Sequence, residues 1–108
     1  MVRVIPSKKV CEEFSLLYEL EGAQKAIDFL AGYYKIEIMK IVVDGRKVPR
    51  NCLACYEENV SYFTRQGLRK RVVLHEFYHH LVYNGIVIPF KEEREANEYV
   101  RNLIACRF

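Results

Sequence analysis

The chain has 108 residues, 51% hydrophobic and 29% charged, with 17 basic against 14 acidic side chains for a formal charge of +3. That length holds one small core and leaves no room for a second, so residues 1–108 are read as a single domain. The dispersed positive balance does not imply nucleic-acid binding, no apolar run nears the about 20 residues of a membrane helix, and MVRVIPSKKV reaches Lys8 too soon for a secretory leader, so a soluble cytoplasmic protein with no membrane partner is expected.

Val2, Val4 and Ile5 predict a short extended piece closed by Pro6, and Ser7 stands as the N-cap of a helix beginning KKVCEEF. Phe14, Leu17, Tyr18 and Glu21 continue at helical spacing. Beyond Gly22 the rhythm resumes at Ala26, Ile27, Leu30, Tyr33 and Tyr34, which leaves open one interrupted helix or two. From Tyr34 to Val43, YKIEIMKIVV alternates and then runs β-branched up to Asp44-Gly45, predicting a strand. Two shorter strands are predicted, one near Cys52 to Glu57 and one across Val60 to Thr64, with Glu58-Asn59 as the turn between them.

After Gln66-Gly67, LRKRVVLHEFYHHLVYN places Leu68, Val72, His75, His79, Val82 and Tyr83 at helical intervals and closes on Asn84-Gly85. Pro89 stops a short apolar run, and KEEREANEYVRNLIACRF predicts a last helix with Ala96, Tyr99, Val100, Leu103 and Ile104 facing inward. The expected fold class is α+β: an N-terminal helix or helices, a small sheet, the histidine-bearing helix and a C-terminal helix. Cys11, Cys52, Cys55 and Cys106 are read either as buried thiols or as disulfides, Cys11 with Cys106 being the pairing that would tie the two ends.

All three histidines, His75, His79 and His80, lie within six residues, and His75 and His79 flank Glu76 in the order His-Glu-Phe-Tyr-His. Residues four apart on a helix project from one face, so two imidazoles can reach one Zn²⁺ without bending the backbone. Glu76, turned about 100° from His75, does not share the metal comfortably but stands close enough to take a proton from water on it. His80 is expected at the surface or behind the ligands.

A catalytic zinc site wants three protein ligands and one open position, and no histidine remains for the third. The last helix offers Glu92, Glu93, Glu95 and Glu98. Its inner face projects back to Glu93, with Glu92 second, while Glu95 and Glu98 fall on the wet side, Glu95 complementing the helix dipole. Ala96 permits close approach of the two helices, and Asn97, four residues after Glu93, can hold the second nitrogen of a ligand imidazole. For stabilising an oxyanion, Tyr78, Tyr83, Tyr99 and Arg101 are all available.

HEFYHH followed by EREANEYV resembles the gluzincin pattern of HExxH with a downstream ExxA(N/D). In its length the chain is similar to the minigluzincins, minimal soluble counterparts of membrane-bound gluzincin peptidases. The resemblance spans roughly residues 60 to 100. It implies a zincin-like fold, zinc held by His75, His79 and Glu93, Glu76 as general base and acid, and hydrolysis of peptide bonds in a peptide or protein substrate. It also implies that Val60, Ser61, Tyr62, Phe63 and Thr64 form an edge strand holding extended substrate by main-chain bonds, and that a terminal segment keeps the enzyme latent.

Two other readings use the same residues. In one, Cys52-x2-Cys55 with His75-x3-His79 forms a structural Cys₂His₂ zinc module, with Arg65, Arg69, Lys70 and Arg71 suited to nucleic-acid phosphates; its inter-pair spacing is longer than a classical finger's. In the other, a catalytically silent zincin fold serves as a regulator. The oligomeric state leaves no mark on the sequence.

Overall fold

The computed structural model describes residues 4–105. Two helices lead the chain, α1 (Lys8–Glu21) and α2 (Ala23–Tyr34). Ser7 caps the first through its side-chain oxygen, which accepts from the Val10 N–H at 3.4 Å. Gly22 separates them at φ 93°, a conformation that a side chain would strain. Val4 and Ile5 form a bend packed against the core rather than an extended strand, and Val2 lies outside the described residues.

α2 ends on Lys35 in the left-handed region, φ 59°. That cap redirects the chain, so the strand expected from Tyr34 begins only at Lys40: β1 is Lys40–Val43. The carbonyls just before it are taken by side chains instead of a neighbouring strand. Gln24 Nε2 donates to Met39 O at 2.9 Å, and His80 Nε2 lies 2.6 Å from Glu37 O.

β2 (Ala54–Glu57) and β3 (Val60–Phe63) form an antiparallel hairpin through Glu58 and Asn59, at φ 43° and 70°, the left-handed pair that a two-residue turn demands. β1 pairs with β3 in parallel, giving the order β1-β3-β2. This corrects the expectation that Val60 to Thr64 form the edge. β3 is the central strand with both sides of its backbone engaged, and Ser61 and Phe63 are wholly buried.

α3 (Lys70–Tyr83) and α4 (Glu92–Ala105) complete the α+β domain. Phe14, Ile27, Leu30, Phe63, Phe77 and Leu103 are the heart of its core. At its centre the hydroxyls of Tyr34 and Tyr99 meet at 2.8 Å, joining α2 to α4. α3 stops where expected, at Asn84 with Gly85 at φ 77°. Among the described residues no helix is long and apolar enough to cross a membrane. Cys106, and with it the pairing to Cys11, lies outside them; Cys52 and Cys55 are free thiols.

Candidate metal centre

His75 and His79 stand one helical turn apart on α3, their ring centroids separated by 5.0 Å. α4 runs antiparallel beside them, and the fully buried Ala96 lets it come close. His75 Nε2 lies 2.9 Å from Glu93 Oε2 and His79 Nε2 lies 3.1 Å from Glu93 Oε1. One donor atom from each of His75, His79 and Glu93 falls within 4.8 Å of the others.

The outer ring nitrogens are occupied elsewhere. His75 Nδ1 donates to Asn97 Oδ1 at 3.0 Å, and His79 Nδ1 to Glu92 Oε2 at 2.5 Å. Such bonds hold each ring with its Nε2 turned inward. Both Nε2 atoms and the Glu93 carboxylate then converge on one spot, where a cation would take the place of the contacts that join them. The donor types, nitrogen, nitrogen and oxygen, fit Zn²⁺.

Glu76 is not one of the converging ligands. It is only 7% exposed, yet it borders the cleft on both sides of His75. Burial pushes its carboxyl above the ordinary range, and Glu93 adds to the rise, while the neighbouring His79 and His75 oppose it.

Beneath the site His80 fixes the rotation of α3. Its side chain is wholly buried, Nε2 donating to Glu37 O and Nδ1 accepting from Tyr56 Oη at 2.6 Å. The Tyr56 hydroxyl in turn accepts the Asn59 N–H at 2.9 Å. One imidazole thus ties α3 to β2, to the hairpin turn and to the segment before β1. Burial lowers its pKa, in keeping with the neutral ring that these bonds require.

The cleft lies between α3, α4 and β2, which like β1 is an edge strand of the sheet among the described residues. A hollow of about 570 Å³ opens on the metal side, bordered by His79, Glu93, Tyr56 and Tyr83. A second, of about 540 Å³, lies beyond His75 toward the start of α3.

The structure therefore brings together His75, His79, Glu76, Glu93 and Asn97, and leaves Val60 to Thr64 away from the cleft lining. The Cys₂His₂ set does not assemble: Cys55 Sγ turns to Lys47 O at 3.4 Å, and neither Cys52 nor Cys55 joins the donor group. Glu92, second choice as a ligand, instead holds His79 from behind. Glu95 is not simply solvated; it accepts from the Phe90 and Lys91 N–H groups and from the Tyr78 hydroxyl. Tyr78 and Tyr99 are thereby committed to Glu95 and Tyr34, leaving Tyr83 and Arg101 at the cleft. His80, expected at the surface or behind the ligands, is a core residue, and Tyr56, its partner, carried no sequence signal.

No protein-family model matches this chain, and no curated protein or solved structure is significantly similar to it. The assignment of function rests on the chemistry of these side chains.

Proposed function

We propose that the chain is a zinc-dependent peptidase, with His75, His79 and Glu93 as the metal ligands and Glu76 as general base and acid. The observation that carries this reading is the convergence of two Nε2 atoms on the Glu93 carboxylate, with a buried glutamate one residue from the first of them. A zinc ion held there supplies Lewis-acid polarisation of a carbonyl and makes water acidic enough to react near neutral pH.

Each remaining task falls to a residue of the chain. Glu76 removes a proton from the attacking water as its oxygen bonds the carbonyl carbon, then delivers that proton to the leaving nitrogen as the C–N bond breaks. Its burial favours this double duty, because a carboxyl held above its ordinary range keeps a captured proton more firmly until the leaving nitrogen takes it. Asn97 and Glu92 hold the imidazoles in one tautomer and one orientation. Tyr83, one turn beyond His79 and half exposed on the metal side, is the hydroxyl available to the developing oxyanion. The free edge of β2 offers N–H and C=O groups to an extended peptide, which places substrate against this strand rather than against β3.

Glu76→Gln keeps the shape of the site and removes the base. Zinc content by atomic absorption should stay that of the unsubstituted protein while peptide hydrolysis, followed by mass spectrometry on a peptide mixture, falls about a thousandfold, within the span of general acid–base catalysis. Hydrolysis that survives the substitution rejects the mechanism. A protein that binds zinc yet cleaves nothing before substitution is instead a silent member of this architecture.

A further inference from the structure

The hollow beyond His75 differs in chemistry from the metal side of the cleft. Val72, Leu53, Ala54 and Val100 make its wall predominantly apolar, and at about 540 Å³ it has room for a large aliphatic or aromatic side chain. Two arginines border it, Arg71 from α3 and Arg101 from α4, both exposed. Among the described residues neither guanidinium has an ion-pair partner.

Their position follows from the packing of the two helices. α3 and α4 lie antiparallel, with His79 opposite Glu93 and His75 opposite Asn97. One further turn along each helix, four residues on, brings Arg71 and Arg101 to the same cavity. Two guanidinium groups sharing a cavity repel each other, and a carboxylate between them relieves that repulsion while matching their planar donor geometry.

Strand polarity gives the same direction independently. Leu53, just before β2, borders only the apolar hollow and Cys55 and Tyr56, further along the strand, only the metal side, with Ala54 between them bordering both. A peptide added antiparallel to β2, the commoner pairing, therefore runs from the metal side toward the arginines and brings its carboxyl-terminal portion to them. Four helical residues rise about 6 Å and an extended peptide advances about 3.3 Å per residue, so the carboxylate falls one or two residues beyond the carbonyl held near His75.

We infer that this hollow is a specificity site for an apolar side chain accompanied by a carboxylate, gripped jointly by Arg71 and Arg101. The inference rests on the peptidase reading for its purpose but not for its test. The carboxylate is either the free C-terminus of the substrate, which makes the activity trimming of one or two residues, or a Glu or Asp side chain next to the apolar residue, which makes it internal cleavage.

The full-length zinc-loaded Glu76→Gln protein is titrated by calorimetry with three probes. These are an N-acetylated tetrapeptide ending in leucine with its carboxylate free, the same peptide as the C-terminal amide, and a longer amide-capped peptide with glutamate directly after the leucine. The free acid should bind about tenfold more tightly than the amide, or better, as charge-assisted bidentate contacts do. That preference should vanish in both Arg71→Gln and Arg101→Gln and return only in part in Arg71→Lys, whose ammonium restores the charge but not the bidentate geometry. A glutamate peptide that matches the acid assigns the site to internal side chains; one that matches the amide assigns it to free C-termini.

Equal affinities for all three probes, including no binding of any, overturn the inference. So does a preference that persists in the arginine variants, since the carboxylate would then be sitting on the metal. Hydrolysis by the unsubstituted enzyme is measured in parallel. Selective binding without hydrolysis keeps this site and rejects the peptidase, and hydrolysis without selectivity does the reverse.

Discussion

On the cleft face of α3 the side chains of His75 and His79 are 22% and 14% exposed and aim Nε2 at a carboxylate, whereas on the inner face, one residue after His79, His80 is wholly buried with both nitrogens spent on Tyr56 and the Glu37 carbonyl. The same functional group does opposite work after a rotation of about 100° around one helix. The outer pair directs one nitrogen of each ring at a common point. The inner ring has none left to give, and what it provides is the rotation that aims the other two. A histidine's role is therefore decided by what its second nitrogen meets.

This contrast predicts a division of effects that substitution can break. His79→Ala should remove one ligand of three and weaken zinc binding about a thousandfold by competition with a chelator, at the per-ligand scale of zinc sites, with the metal-free fold left near its original stability. His80→Ala should do the reverse. It leaves the Tyr56 hydroxyl and the Glu37 carbonyl without their partner and opens a cavity, a loss of about 3 kcal/mol in urea unfolding, while zinc stoichiometry stays intact. Zinc loss in the His80 variant at unchanged stability would merge the two faces into one site and discard the distinction.

Smaller changes sharpen it. Asn97→Ala frees His75 Nδ1 without touching a ligand, so zinc affinity should drop about 10–100-fold with no loss of stoichiometry at saturating metal. An unchanged affinity would mean that Asn97 does not orient the ring. Tyr56→Phe removes only the hydroxyl beneath His80. It should cost about 1–2 kcal/mol of stability by thermal unfolding, leaving zinc binding as it was, because His80 keeps its bond to Glu37.

Much of the outer face was legible in the sequence because period and chemistry coincide there. A spacing of four puts His75 and His79 on one side of any helix, and the buried stripe through Ala96 and Val100 selects Glu93 and carries Asn97 with it. The inner face was not legible. Nothing local distinguishes His80 from a surface histidine, since its partners come from β2 and from the irregular segment before β1, far along the chain. Strand order was hidden for the same reason: the hairpin of β2 and β3 follows from Glu58-Asn59, but which of the two receives β1 is a long-range choice. The delayed start of β1 turned on Lys35 adopting a left-handed cap, a conformation that few sequences announce without glycine or asparagine. The sequence offers Arg101 as an oxyanion partner and Arg71 as one of a basic run; that the two border one cavity follows only from the packing of α3 against α4.

Gly67 lies in the link between β3 and α3, where a β-carbon would stand 2.0 Å from the Leu53 carbonyl oxygen. That same oxygen receives the Thr64 N–H at 3.0 Å and the Thr64 hydroxyl at 3.2 Å, and the hydroxyl in turn receives the Gly67 N–H at 2.9 Å. The strand that forms one lip of the cleft and the approach to the histidine helix are thus latched together where they enter. On the peptidase reading, a substrate that needs a wider cleft should find this lip and the histidine helix coupled, so that widening would fall to α4 instead.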